Sequence, residues 1–208
     1  MEKSAVILAG GSSERFGQDK GLLKLGDKPL ILHILDKIST VVDEVLIVVS
    51  SKSQEKAYTH FLKSKATTVT DKYEMQSPLV GALTGFEKAQ GKYSLLLPCD
   101  TPFVSSQIAS FLLELCVNKD AIIPRWPNGY IESLQAVYHT ESALNAASKA
   151  LEDEKLDMYS MIASLKKVRY VSTLVLKQID PKLMTFFNIN TLEDFRKAEQ
   201  MLLDLRAR

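Results

Sequence analysis

The run Leu8–Lys20, LAGGSSERFGQDK, ends a short apolar stretch in glycines, hydroxyls and two spaced cations. Gly10, Gly11 and Gly17 let a backbone turn tightly and approach a ligand closely, so that successive N–H groups form an anion-binding nest. Arg15 can fork onto phosphate oxygens, and Lys20 can reach in as a point charge. Such a division of labour suits a polyphosphate. The spacing is neither G-x-x-x-x-G-K-[ST] nor G-x-G-x-x-G, so neither a Walker A loop nor a dinucleotide fingerprint is present. An ordinary Gly-rich turn after a strand is the plainer alternative.

A second chemical stretch is LLLPCDTPFVS, Leu95 to Ser105. A buried strand delivers Asp100 to its carboxyl end, where doubly wound sheets place ligands, and Pro98 and Pro102 stiffen the exit. A rigid carboxylate there can bind Mg²⁺, which takes hard oxygen ligands and completes its shell with phosphate and water. The competing role is a cap for the helix starting near Ser105, for which Ser105 or Thr101 is better spaced. The third stretch is FFNINTLEDF, Phe186 to Phe195. Strand alternation points Asn188 and Asn190 to one face. Their amides can ligate a metal or order its water through oxygen, or hold an acceptor phosphate through nitrogen. A turn before a helix favours Asn equally.

These residues need a frame. Apolar runs and helical patterns alternate: strand Ala5–Leu8, helix Pro29–Ile38, strand Glu44–Val49, helix Gln54–Leu62, strand Thr67–Thr70, helix Pro78–Lys88, strand Tyr93–Leu97. That alternation predicts a parallel sheet with right-handed crossovers, and continuous runs such as VLIVV are expected where helices cover both faces. Pro29 and Pro78 sit where first helical residues belong, Pro78 after a capping Ser77. A helix over Ser106–Val117 follows, then strands Ala121–Pro124 and Ser133–Tyr138 around Pro127, Asn128 and Gly129, which read as a hairpin-like excursion. Helices near Glu141–Leu151 and Met158–Leu165, a strand Val168–Val171, the run Phe186–Ile189 and a helix capped by Thr191 with Asp194 three residues on complete the pattern.

Composition narrows the classes. With 208 residues, 46% hydrophobic and 25% charged, the chain can bury a continuous core. A net charge of +1 gives no overall footprint for nucleic acid or an acidic membrane surface, so any polyanion site is local. No secretory leader is legible and no apolar run approaches the ~20 residues of a membrane span, which points to the cytoplasm. Cys99 and Cys116 lack metal-ligand spacing, and His33, His60 and His139 share none with each other or with a nucleophile.

Leu8–Lys20 resembles the signature L-A-G-G-x-S-x-R-M-G-x-D-K of nucleotidyltransferases, in particular the molybdenum cofactor guanylyltransferases, with Phe16 for the usual Met. Asp100 lies in a match to P-C-D-T-P-x, and Phe186–Asp194 resembles the closing F-x-N-x-N-T-x-E-D. Thr70–Leu83 is similar to the strand–Asp–loop–G-P-L-A-G segment, with Ser77 and Val80 for Gly and Ala. The resemblance implies a three-layer α/β/α sandwich with a mostly parallel, Rossmann-like sheet of the nucleotide-diphospho-sugar transferase type. It implies one domain over 1–208, with 1–100 binding nucleotide and 101–208 binding acceptor. Leu8, Ala9, Gly10, Gly11, Lys20, Asp71 and Asp100 then contact the nucleotide, Lys20, Arg15 and Asp100 carry catalysis, Asp100 holds Mg²⁺, and Asn188 and Asn190 meet the acceptor. Ser50 stands where related bacterial enzymes tend to have Asn, so a direct nucleoside contact is lost there.

The implied reaction moves GMP from GTP to the phosphate of molybdenum-molybdopterin and releases pyrophosphate. GTP and molybdenum-molybdopterin are its substrates, and proteins of cofactor biosynthesis or acceptor proteins are the partner class it allows. A phosphomonoester, with a second pKa of about 6, is already anionic near neutrality, so no strong general base is needed. In PRWPNGYIESLQAVY, Arg125 to Tyr138, Ser133 and Gln135 replace Pro and His of related chains, and Trp126 either stacks on a pterin or packs, with Arg125 on a phosphate. Alternatives on the same fold use a sugar 1-phosphate, cobinamide phosphate, methylerythritol phosphate, or CTP with the molybdenum cofactor. A non-catalytic nucleotide-binding protein is a different class, opposed by the joint presence of Lys20, Asp100 and Asn190.

Overall fold

The structure, a computed structural model, describes residues 2–10, 19–62, 65–73 and 75–206. In chain order its strands are β1 (Lys3–Leu8), β2 (Lys24–Leu25), β3 (Lys28–Pro29), β4 (Glu44–Val49), β5 (Thr67–Thr70), β6 (Tyr93–Pro98), β7 (Ala121–Arg125), β8 (Ala136–His139) and β9 (Val168–Ser172). The helices are α1 (Leu30–Ile38), α2 (Lys52–Leu62), α3 (Pro78–Lys88), α4 (Ser106–Leu115), α5 (Thr140–Glu152), α6 (Met158–Ala163), α7 (Thr173–Leu176) and α8 (Leu192–Arg206). Short 3-10 turns cover Lys20–Leu22 and Met184–Phe186.

Seven strands form one sheet in the order β5-β4-β1-β6-β8-β7-β9. Strand β8 runs antiparallel to both β6 and β7, and the other pairings are parallel. The expected excursion is therefore real: β7 and β8 insert as an antiparallel pair between β6 and β9. Alternation along β1 explains the layering. Ala5 and Ile7 enter a cluster with Ile31, Ile34, Tyr58 and Ile108, whereas Val6 enters one with Leu79, Leu83, Phe86 and Ala147. With both faces covered, the inner strands need no polar positions. Each fully buried aliphatic side chain there contributes about 1.5–3 kcal/mol. Helix α3 lies so close to β1 that a Cβ on Gly85 would stand 2.2 Å from Val6 Cγ1.

Local signals set the helix ends. Ser77 accepts from the Val80 N–H with Pro78 at the first helical position, as the sequence predicts. Thr191 Oγ1 accepts from the Asp194 N–H at 3.1 Å while Asp194 Oδ2 accepts from the Thr191 N–H at 2.9 Å, a reciprocal cap for α8. Pro29 departs from its expected place, being the cap residue of α1 and part of β3. Strand Ser133–Tyr138 shortens to Ala136–His139 because Gln135 N–H donates back to Glu132 C=O in a turn. The run Phe186–Ile189 is no strand: Phe186 closes a 3-10 turn, and among the described residues the run has no ladder partner.

A third cluster joins distant segments. Leu25, Leu30, Ile189 and Ala198 are buried together, which seats α8 on the β2–β3 hairpin. Gly26, at φ +61°, lies close to Leu202, and Arg206 pairs with Asp27 at 3.2 Å. Among the described residues no helix is long and apolar enough to cross a membrane.

Candidate active site

Hydrogen bonding continues past the strand ends and fixes the residues just beyond them. Ala9 N–H donates to Val48 C=O at 2.8 Å, Cys99 N–H to Leu8 C=O at 3.0 Å, and Asp71 N–H to Val49 C=O at 2.7 Å. Gly10, Ser50, Asp71 and Asp100 are thereby held along the carboxyl edge of the sheet, where such folds bind ligands. Gly10 lies against Ser50, whose backbone nitrogen would be 3.2 Å from an added Cβ. Gly11, Arg15, Phe16 and Gly17 lie outside the described residues.

Lys20 is the centre of the arrangement. Its Nζ donates to Asp100 Oδ2 at 2.7 Å and to Asn190 Oδ1 at 2.9 Å, uniting three segments that span 170 residues of chain. The lysine and aspartate side chains are only 21% and 15% exposed, so this pair is screened less than a surface pair. Asp100 Oδ1 is buried without a hydrogen-bond partner among the described residues. An oxygen left so is costly unless a ligand uses it. One rigid carboxylate with an open oxygen fits magnesium, which needs only one or two protein carboxylates beside phosphate and water. Among the described residues no group of three or more His, Cys, Asp or Glu is placed to enclose a metal by itself.

The capping alternative for Asp100 is excluded by geometry. Ser105 Oγ accepts from the Ile108 N–H at 3.3 Å and caps α4, while Thr101 Oγ1 donates to Pro98 C=O at 3.1 Å. Asp100 C=O instead accepts from the Ile189 N–H at 3.0 Å, anchoring the asparagine segment beside it. Ile189 is buried in the third cluster, which leaves Asn188 and Asn190 on the opposite side although no strand forms. A lysine ammonium can only donate, so Asn190 turns its oxygen to Lys20 and keeps its NH₂ for another partner. Asn188 Oδ1 accepts from Gln135 Nε2 at 3.3 Å.

Other expected residues stand apart from this trio. Asp71 Oδ1 accepts from Thr84 Oγ1 at 2.7 Å and from the Tyr73 N–H at 3.2 Å at the end of the edge strand β5. Trp126 packs edge-to-face on Phe186, with ring centroids 5.8 Å apart, and donates its indole N–H to Glu132 at 2.6 Å. The Arg125 guanidinium lies 5.5 Å from the centre of the Tyr170 ring. His33 bonds Leu25 C=O, and His139 caps α5. Burial above all, helped by the Asp100 charge, pushes the Cys99 thiol far above its usual range, so it stays protonated and inert.

One residue escaped the sequence reading. Asp19 Oδ1 accepts from the Gly21 N–H and from the Tyr58 hydroxyl, and Oδ2 accepts from Gln54 Nε2. An Asp immediately before the key lysine, with a Gln and a Tyr four apart on one helix face, was the available signal.

A doubly wound sheet carrying a lysine, a carboxylate and two amides at its carboxyl edge is suited to handling phosphate. Residues 5–168 match the MobA-like NTP transferase domain, and the chain belongs to that family of nucleotidyltransferases. It is 34% identical to a probable molybdenum cofactor guanylyltransferase of Methanosarcina mazei, over 92% of this chain and 88% of the relative. It is 35% identical to a probable molybdenum cofactor guanylyltransferase of Natranaerobius thermophilus, over 96% of each. The crystal structure of molybdopterin-guanine dinucleotide biosynthesis protein A from Archaeoglobus fulgidus superposes with a TM-score of 0.82 at 25% identity, covering 97% of this chain and 99% of that one.

Proposed function

We propose that this protein transfers GMP from GTP to the phosphate of molybdenum-molybdopterin, forming the guanine dinucleotide cofactor and pyrophosphate. The observation that carries the reading is Lys20 Nζ bridging Asp100 and Asn190, because it brings a cation, a metal-type carboxylate and an amide donor to one point. An acceptor phosphate oxygen attacks the α-phosphorus, and the bond to the β-phosphate oxygen breaks, its electron pair leaving with pyrophosphate. Two anions must meet for this to happen. Lys20 and Arg15 offset their repulsion, and the backbone at Leu8, Ala9, Gly10 and Gly11 lies along the nucleotide. Asp71 accepts from the nucleoside, guanine offering N–H donors that a carboxylate can receive.

Asp100 would hold Mg²⁺, and the chemistry that ion supplies when bound is charge neutralisation on the triphosphate. The NH₂ groups of Asn188 and Asn190 hold the acceptor phosphate. Residues 1–100 thus serve the nucleotide and 101–208 the acceptor, with Lys20 and Asn190 meeting at the seam. We place the reaction in the cytoplasm, a setting in keeping with the buried free thiols Cys99 and Cys116. Pyrophosphate release measured for each of four nucleoside triphosphates, with molybdenum cofactor and with sugar 1-phosphates, tests the reading. Release only with GTP and the cofactor is expected; equal release with a sugar 1-phosphate overturns it.

A further inference from the structure

The proposed transfer leaves Asp19 unused, yet its carboxylate, next to Lys20, accepts three hydrogen bonds. It opens the 3-10 turn Lys20–Leu22, with Oδ1 accepting from the Gly21 N–H at 3.0 Å. Capping that turn requires nothing more. Helix α2 nevertheless aims two further donors at it: the Tyr58 hydroxyl, 2.5 Å from Oδ1, and Gln54 Nε2, 2.6 Å from Oδ2. Tyr58 is fully buried, and that burial above all, with Cys99 and Asp19 beside it, holds the phenol far above its ordinary range. It therefore remains a donor. The Gln54 amide can point only one way, since its Oε1 receives the Ser50 N–H at 2.9 Å and the Ser50 hydroxyl at 2.8 Å. Gly21 completes the fit, because a Cβ there would stand 2.1 Å from the Tyr58 hydroxyl.

We propose that Asp19 is a positioning residue for Lys20, clamped by Tyr58 and Gln54 so that the turn carrying the lysine cannot shift, and tied through Gln54 to Ser50 at the end of β4. The tip of Lys20 is held by Asp100 and Asn190. A triphosphate that draws the ammonium toward itself loosens those two bonds, and the clamp then keeps the base of this long, flexible side chain in place. Hydrogen bonds to a carboxylate are the strong kind, which suits a fixed support. The proposal rests on Lys20 acting on the triphosphate, and the test separates the two.

Asp19→Asn keeps the shape but turns an NH₂ toward a donor. We expect turnover to fall by about ten- to a hundredfold, the scale of a misplacement of roughly 1 Å, with GTP binding in the presence of Mg²⁺ weakened by calorimetry. Adding Gln54→Glu offers a carboxylate to the new NH₂ and still satisfies Ser50, so the pair should regain most of the loss. In a Lys20→Ala background Asp19→Asn should cost little more, because it acts through the lysine. Near-normal turnover in Asp19→Asn, no recovery in the pair, or an undiminished further loss in the Lys20→Ala background overturns the proposal. Wild-type binding and turnover in Lys20→Ala alone overturns the lysine's role and the proposal with it. If Asp19→Asn does not fold, Tyr58→Phe removes one donor and no bulk; a several-fold fall in turnover is then expected, and none overturns the clamp.

Discussion

The side of the site that we propose for the nucleotide and the side that we propose for the acceptor are built by opposite means. On the nucleotide side, parallel strands end in register, and the residues just beyond β1, β5 and β6 are fixed by continued backbone bonds, Ala9 to Val48, Asp71 to Val49 and Cys99 to Leu8. On the acceptor side, β8 runs against its neighbours, and the asparagine segment has no ladder among the described residues. That segment is held instead by one backbone bond to Asp100, by the burial of Ile189 and by side-chain contacts such as Gln135 with Asn188. A sheet edge positions charge with little freedom, whereas a loop pinned at a few points can vary.

The comparison breaks most sharply at Asp100. Asp100→Asn should leave a folded protein with turnover reduced by at least about a thousandfold, since the amide loses the charge that would hold the metal. Wild-type rates at saturating Mg²⁺ would remove Asp100 from the chemistry. Lys20→Ala should lower turnover by about a hundred- to a thousandfold and weaken GTP binding as well, because a cation on the triphosphate acts in both ground and transition states. Unchanged affinity and rate would make the Lys20–Asp100 pair merely structural.

Asn188→Ala and Asn190→Ala probe the other side. Loss of a charge-assisted hydrogen bond of roughly 1.5–3 kcal/mol should cost one to two decades in transfer while GTP binding stays near normal. Equal loss of GTP binding at every Mg²⁺ concentration would merge the two sides into one. The smallest effect is expected at Glu132, whose carboxyl is raised above its ordinary range by burial, partly opposed by the Trp126 N–H. A raised carboxyl favours the protonated folded form, so its charged form costs stability that grows as pH climbs through and above the carboxylate range. Glu132→Gln should therefore raise Tm at pH 7 by less than about 3 °C over the wild type, a gain that shrinks toward pH 4. A Tm difference between Glu132→Gln and the wild type that stays constant from pH 4 to 7 would show no such penalty.

Legibility followed the same division. The strands through Val6, Ile47 and Leu96, the Ser77–Pro78 helix start and the Thr191–Asp194 cap were readable because each is decided within a few residues. Lys20, Asp100 and Asn190 were readable as chemistry for their types, and the structure brings them together. Strands β2 and β3 were not, since two residues each carry no periodicity and the Gly26–Asp27 turn between them is their one signal. Phe186–Ile189 alternates like a strand, but no free ladder awaits it. Asp19 was missed because its partners Gln54 and Tyr58 lie 35 and 39 residues away on a helix whose pattern reports only burial.

The seating of α8 on the β2–β3 hairpin has a kinetic consequence. Asp27 and Arg206 are 179 positions apart, and Lys20 and Asn190 are 170. Closing such loops is slow, and a chain emerging from the ribosome cannot close them until its distal end is free. The phosphate-handling corner is therefore completed late in folding, after the first strands of the sheet have paired. A nascent or C-terminally clipped chain that has paired most of its strands still lacks the Asn190 contact to Lys20.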